Sequence, residues 1–296
     1  MTYRRSSEID FSLSDLPVVT GPRRVLMTVP AHFQVEYVIN PHMAGNVGQV
    51  NPTMATEQWD RLQGTYEALG IETHALSDAA GLPDMVFCAN QTLPVPAMGS
   101  SGPRVVLSRM CSEHRRQEVP AYNTFFNARG YEAVALKEGQ GWFEGMGDAI
   151  WHPGRYLLWG GYGIRTDSEV YSRLAESLEV PIVMIHLEDP DFYHLDTCFS
   201  ALSERSVLIY PGAFDSAGLA LIRALFEEVI EAPEDESRSL FACNAHCPDG
   251  KHVIIQRGCA ETVSRLRTAG FEPIEVDTDQ FLLAGGSVFC MKQMFW

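Results

Sequence analysis

Short β-rich runs alternate with amphipathic helical segments along almost the whole chain, and that alternation admits few folds. The runs fall at 24–29, 84–89, 104–108, 131–136, 156–159, 182–185, 206–210, 252–256 and 273–276. Between many of them apolar residues recur at three- and four-residue steps. Residues 56–69 place Trp59, Leu62, Tyr66 and Leu69 on one face. Segments 168–178, 219–228 and 260–269 read the same way, the last closed by Gly270 where a left-handed cap is expected. Strands alternating with helices predict an α/β or mixed protein. The units recur without sequence repetition, so any internal symmetry is expected in structure only. No Pro/Gly/Ser-rich linker interrupts 23–296, which is expected to form one domain behind an N-terminal tail, 1–22, that shows no period.

Composition excludes several function classes. The formal net charge of −16 opposes binding to phosphate backbones and favours the approach of cations. Arg4 and Arg5 are followed by no apolar run, and no stretch is long and apolar enough to span a bilayer, so neither a signal peptide nor a membrane segment is expected. The expected location is the cytoplasm, with all seven cysteines reduced. Cys243, His246 and Cys247 cluster, but no second Cys/His pair stands at finger spacing, so no metal is expected. The glycines at 145–147 and 160–163 fit neither a dinucleotide nor a Walker pattern, and no cofactor is expected.

Three segments carry chemistry: Phe143-Glu144-Gly145-Met146-Gly147-Asp148, Tyr193-His194-Leu195-Asp196-Thr197, and Gly285-Gly286-Ser287-Val288-Phe289-Cys290. Together they supply a thiol, an imidazole and carboxylates. Such a set suits covalent attack on a cationic carbon. A guanidinium stays charged at physiological pH, so carboxylates must hold it by paired hydrogen bonds. A thiolate can attack its carbon, and a histidine can protonate the leaving amine and then activate water. Blander readings stand beside this one. Cys290 fits a core thiol, His194 a satisfied core histidine, and Glu144 and Asp148 caps of a glycine turn. A strand through 194–196 would put His194 and Asp196 on one face.

These segments, with Val38-Ile39-Asn40-Pro41-His42-Met43, 83–90 and Gly161-Tyr162-Gly163-Ile164-Arg165, occur in an order that resembles the guanidino-group-modifying enzymes. That family comprises arginine deiminases, dimethylarginine dimethylaminohydrolases and amidinotransferases, and the likeness covers about 24–290. It is strongest to the arginine dihydrolase branch, which takes arginine to ornithine, ammonia and carbon dioxide. The resemblance implies a five-bladed α/β propeller of ββαβ units around a central substrate channel. It implies Cys290 as nucleophile, His194 as general acid/base, and Glu144 holding the guanidinium near His194. Asn40, Asn90, Asp148 and Asp196 fall at substrate-side positions, and Arg115 and Arg165 where the family places arginines for the α-carboxylate. Asn90 departs from the aspartate usual in deiminases and dimethylarginine hydrolases. An amide has a donor as well as an acceptor, so it can retain a neutral ureido intermediate for a second hydrolysis.

The expected partner is therefore a small molecule, arginine or a methylated arginine, with a homo-oligomer left open. Trp296 ends the sequence, so no ornithine-processing domain is expected after it. The alternatives are one-step hydrolysis to citrulline, amidino transfer to an amine, and a non-catalytic binding protein on the same fold.

Overall fold

The alternation resolves into one pattern used repeatedly: a short strand, an antiparallel neighbour, a helix, and a strand parallel to that neighbour. The computed structural model describes residues 1–77, 79–99, 101–137 and 139–296. Its strands form five small sheets in a mixed α/β fold. In one, Thr92–Val95 runs antiparallel to Arg104–Leu107, which pairs in parallel with Glu132–Ala135 after the helix Val119–Asn127. The next uses Ala149–Trp151, Leu158–Tyr162, the helix Ser168–Leu178 and Ile182–His186. Another uses Phe199–Ala201, Ser206–Ile209, the helix Ser216–Leu225 and Glu228–Glu231. In a fourth, His252–Gln256 and Glu272–Val276 flank the helix Ala260–Thr268, and the antiparallel strand shrinks to a bridge between His246 and Ile254.

The remaining sheet joins the two ends of the chain. Gln293–Phe295 runs antiparallel to Arg24–Thr28, which pairs in parallel with Glu72–Leu76. The helix Pro52–Ala68 makes that crossover, because parallel neighbours cannot be joined by a tight turn. Asn51 starts it by accepting from the backbone N–H groups of Thr53 and Met54, with proline at its first position. Trp59, Leu62 and Tyr66 are buried on its inner face, as their spacing predicts. The middle strands read as continuous apolar runs because both of their faces are covered.

Three expectations need correction. Residues 84–89 are no strand: Pro83–Val86 is a 3-10 turn. Arg115 takes the carbonyls of Asp84 and Phe87, so a neighbouring strand is not needed to satisfy them. The helix expected over 219–228 lies at Ser216–Leu225, started by Asp215, and strand Glu228–Glu231 follows it. His194 and Asp196 do not share a strand face, because Leu195–Thr197 is a 3-10 turn closed by the Thr197 hydroxyl on the His194 carbonyl. The opening segment, despite its lack of period, is packed: Thr2–Tyr3 pairs with Ile182 and Val183, and Val18 bridges Arg155. No helix among the described residues is long and apolar enough to cross a membrane.

Candidate active site

Each short antiparallel strand, or the bridge that replaces one, is entered from a turn holding a buried polar or nucleophilic side chain. Asn90 precedes Thr92–Val95, Asp148 precedes Ala149–Trp151, and Asp196 precedes Phe199–Ala201. Asn244 precedes the His246 bridge, and Cys290 precedes Gln293–Phe295. The fold thus gathers residues from five distant stretches. Asn40, Asn90, Arg115, Arg165 and Cys290 line one small cavity of about 20 Å³, room for roughly one water molecule. Glu144, His194 and Asp196 each lie one hydrogen bond behind that lining. Asp148 is reached through Thr166, whose hydroxyl donates to Asp148 Oδ2 and accepts from the Glu144 backbone N–H. All nine residues singled out in the sequence therefore meet.

One side of the site is a charge-compensated cluster. Glu144 Oε2 lies 2.6 Å from His194 Nε2 and 3.2 Å from an Arg165 nitrogen, while Oε1 accepts from the Cys111 N–H. Burial by itself would raise the Glu144 carboxyl, but Arg165 and His194 outweigh it and bring it down to about 2. The local sequence permits this closeness through glycine. Gly145 has φ +53°, and a Cβ there would lie 2.6 Å from the Thr92 carbonyl; one on Gly147 would lie 2.3 Å from Asn90 Nδ2. Asp148 accepts from the Leu195 N–H at 3.0 Å and from Thr166 at 2.7 Å, yet burial pushes its carboxyl up to about 7.

Cys290 stands in a different environment. Its thiol donates to Asp196 Oδ2 at 3.2 Å and accepts from Asn244 Nδ2 at 3.2 Å. Asn244 Oδ1 also accepts from the backbone N–H groups of Ser287, Phe289 and Cys290. One side chain thereby shapes the turn that carries Cys290 and points a donor at its sulfur. Burial, then the Asp196 charge, holds the thiol well above its ordinary range. Burial likewise pushes Asp196 up to about 7, and its Oδ1 is buried with no hydrogen-bond partner. A cation arriving there would satisfy that oxygen and favour the thiolate.

Asn90 is locked in orientation. Arg115 donates to its Oδ1 at 2.8 Å, so the Nδ2 amide turns toward His194 Nδ1, 3.4 Å away. Arg115 Nε and its second terminal nitrogen engage Glu118 and the carbonyls of Asp84 and Phe87, which leaves one N–H on the nitrogen that holds Asn90. Arg165 spends its second terminal nitrogen on the Ile39 carbonyl, and Asn40 caps the turn at Met43 while donating to the Ala284 carbonyl. Asn244 is not among the residues singled out in the sequence, because the thiols and imidazole of the neighbouring Cys243, His246 and Cys247 are the more suggestive groups. His246 Nδ1 lies 3.0 Å from the Tyr66 hydroxyl within the core. The signal that could have found Asn244 is its place before the short inner strand, the place Asn90 and Cys290 also hold.

Comparison with known proteins points one way. The family model for eukaryotic N,N dimethylarginine dimethylhydrolase matches residues 32–295. The bifunctional arginine dihydrolase/ornithine cyclodeaminase AgrE of Nostoc sp. is 36% identical over 92% of this chain. The chain spans only 38% of the length of AgrE. The N(G),N(G)-dimethylarginine dimethylaminohydrolase of Mycobacterium tuberculosis is 35% identical, over 90% of this chain and 84% of its own. A substrate-bound structure of the N-terminal domain of ArgZ, a cyanobacterial arginine dihydrolase, superposes with a TM-score of 0.85. It has 35% identity and covers 92% of this chain and 97% of that domain. On this likeness, which spans nine tenths of its length, the chain belongs to the dimethylarginine dimethylhydrolase family of guanidino-group-modifying proteins.

Proposed function

We propose that the chain is a cysteine-dependent arginine dihydrolase, and that its five sheets are the blades of a five-bladed α/β propeller with this site at the centre. Residues 23–296 then form one domain, with 1–22 packed on as its N-terminal tail, acting in the cytoplasm without a cofactor. The substrate guanidinium rests against Asp196 and Asp148. The Cys290 thiol proton leaves through Asp196 Oδ2, and Sγ attacks the guanidinium carbon. His194 protonates one terminal nitrogen, the C–N bond breaks, and ammonia departs to leave an amidino thioether. Glu144 keeps His194 oriented through Nε2. Water activated by His194 then adds to the carbon, and cleavage of the C–S bond yields the ureido group.

A second round completes the reaction. Cys290 attacks the ureido carbon, another ammonia leaves, and hydrolysis of the thiocarbamate gives a carbamate that loses carbon dioxide. Arginine and two waters thus become ornithine, carbon dioxide and two ammonia. Asn40 shapes the cavity rim. Arg165 and the one uncommitted N–H of Arg115 receive the α-carboxylate.

The observation that carries the two-step reading is the clamp of Arg115 on Asn90 Oδ1, which leaves an N–H donor facing the site. That donor can hold a neutral ureido carbonyl, whereas a carboxylate would repel it. The dihydrolases AgrE and ArgZ among its relatives support the same reading. The Mycobacterium tuberculosis relative favours a second one, hydrolysis of dimethylarginine to citrulline. Incubation with arginine, citrulline and dimethylarginine, with products identified by mass spectrometry, separates the two. Wild type should release about two ammonia per arginine and Asn90→Asp nearer one, since the lost donor is worth about 1–3 kcal/mol to the ureido state. Citrulline as the only wild-type product, or an unchanged ratio in the variant, would remove the two-step reading.

A further inference from the structure

A second cavity, of about 360 Å³, shares no lining residue with the first. It holds a group that the proposed reaction does not use. Lys292, two residues beyond Cys290, is 1% exposed and lines this cavity. Among the described residues its ammonium has no ion pair or hydrogen bond, and Nζ lies over the Phe289 ring, 3.1 Å from the centroid. The Asp196 carboxylate acts on its charge but makes no hydrogen bond to it, and an ammonium buried without a bonded anion shifts its protonation in response. Burial brings the Lys292 amine down to about 7.

The other charges lining the cavity are already engaged, with one exception. Arg155 is paired with Glu204 at 2.8 Å, and Asp249 with His252 at 2.6 Å. Arg23, on the exposed rim, has no such partner among the described residues. Trp151, Phe289 and Trp296 supply aromatic walls. The volume lies within the range of small-molecule sites.

We propose that this cavity is a binding site for an apolar carboxylate, an aromatic or aliphatic acid whose head group pairs with Lys292 and whose body packs on those aromatic walls. Inorganic phosphate fits less well, because a dianion needs several converging donors and the floor offers one ammonium. The inference is independent of the reaction proposed above. Head group and walls together would give both affinity and orientation, since the charge pair forms where water is largely excluded.

Isothermal titration of the full chain with indole-3-acetate tests this, with uncharged indole-3-acetamide as the comparison. One saturable site is expected for the acid. The amide should bind more weakly by about tenfold or more, the worth of one charge-assisted hydrogen bond. Lys292→Met should lose affinity to the same extent and Lys292→Arg should keep most of it. Ala201→Phe, which fills the cavity from its wall, should abolish binding and keep a cooperative thermal transition. In Cys290→Ser protein, saturating arginine should not displace the acid, since the two cavities share no lining residue. Absence of saturable binding, equal affinity for the amide, undiminished binding by Lys292→Met or Ala201→Phe, or displacement by arginine would each overturn the proposal.

Discussion

Glu144 and Asp196 are both fully buried carboxylates beside the same cavity, and their surroundings drive them in opposite directions. Glu144 is met by Arg165, His194 and a backbone N–H, and its carboxyl is held down at about 2. Asp196 has a thiol on one oxygen and nothing on the other, and its carboxyl is pushed up to about 7. Burial acts upward on both; the partners decide the outcome. The Glu144 side is complete as it stands and can keep an imidazole oriented. The Asp196 side feels the Lys292 charge without bonding to it and keeps an unpartnered oxygen, so it is open to an incoming cation, as the proposed reaction requires. Pairs of ionisable groups pushed apart in this way are a signature of divided roles.

The largest expected effect lies at the uncompensated side. Cys290→Ser should lower turnover by more than about 10³-fold, since loss of a nucleophile leaves only binding and electrostatics. Its hydroxyl can still meet Asp196 and Asn244, so the thermal transition should survive. Turnover above about a hundredth of wild type would break the assignment of chemistry to this side.

The comparison itself is tested by two conservative substitutions measured for stability. Glu144→Gln leaves Arg165 buried without its counter-charge and should cost about 3 kcal/mol. Asp196→Asn removes an unmatched buried carboxylate and should change stability by no more than about 1 kcal/mol, while raising KM for arginine. Equal losses in chemical denaturation would mean that the two sides do not differ as described.

The smallest effect is in pH dependence. The raised carboxyls of Asp196 and Asp148 bind protons in the folded state between their ordinary value of 3.8 and about 7. More protons bound in the folded state means that stability falls as pH rises through that window. The depressed Glu144 carboxyl acts in the opposite sense, adding stability as pH rises from about 2 to its ordinary 4.5. Between about pH 5 and pH 8, Asp196→Asn should therefore lose less stability than wild type. Parallel denaturation profiles for the two proteins over that range would show Asp196 to be ionised throughout.

Much of this is legible in the sequence. The strand and helix runs at 24–29, 56–69, 104–108, 168–178, 182–185, 206–210 and 252–256 match observed elements closely, because apolar periodicity is local. The run at 84–89 misled, since its apolar residues are buried by a turn whose carbonyls go to Arg115. His194 and Asp196 share no strand face, because the segment is a 3-10 turn. The two residues still reach the site, from the start and the middle of a 3-10 turn. Asn244 escaped notice because an asparagine beside two cysteines gives no chemical hint by itself.

The sequence determined which reactive groups exist and the order in which they come: a carboxylate and glycine turn, an imidazole with a second carboxylate, and a thiol near the end. It also determined the repeated strand–helix rhythm that can bring such turns together. Only the tertiary structure decided which groups share protons and charge. The Cys290–Asp196 contact spans 94 residues, Asn244–Cys290 spans 46, and Asn40–Ala284 spans 244. A hydrogen bond is set by distance and angle in space, and a buried carboxyl's ionisation by its neighbours there. Neither quantity is local along the chain, so residue type alone could not distinguish the held-down Glu144 from the pushed-up Asp196.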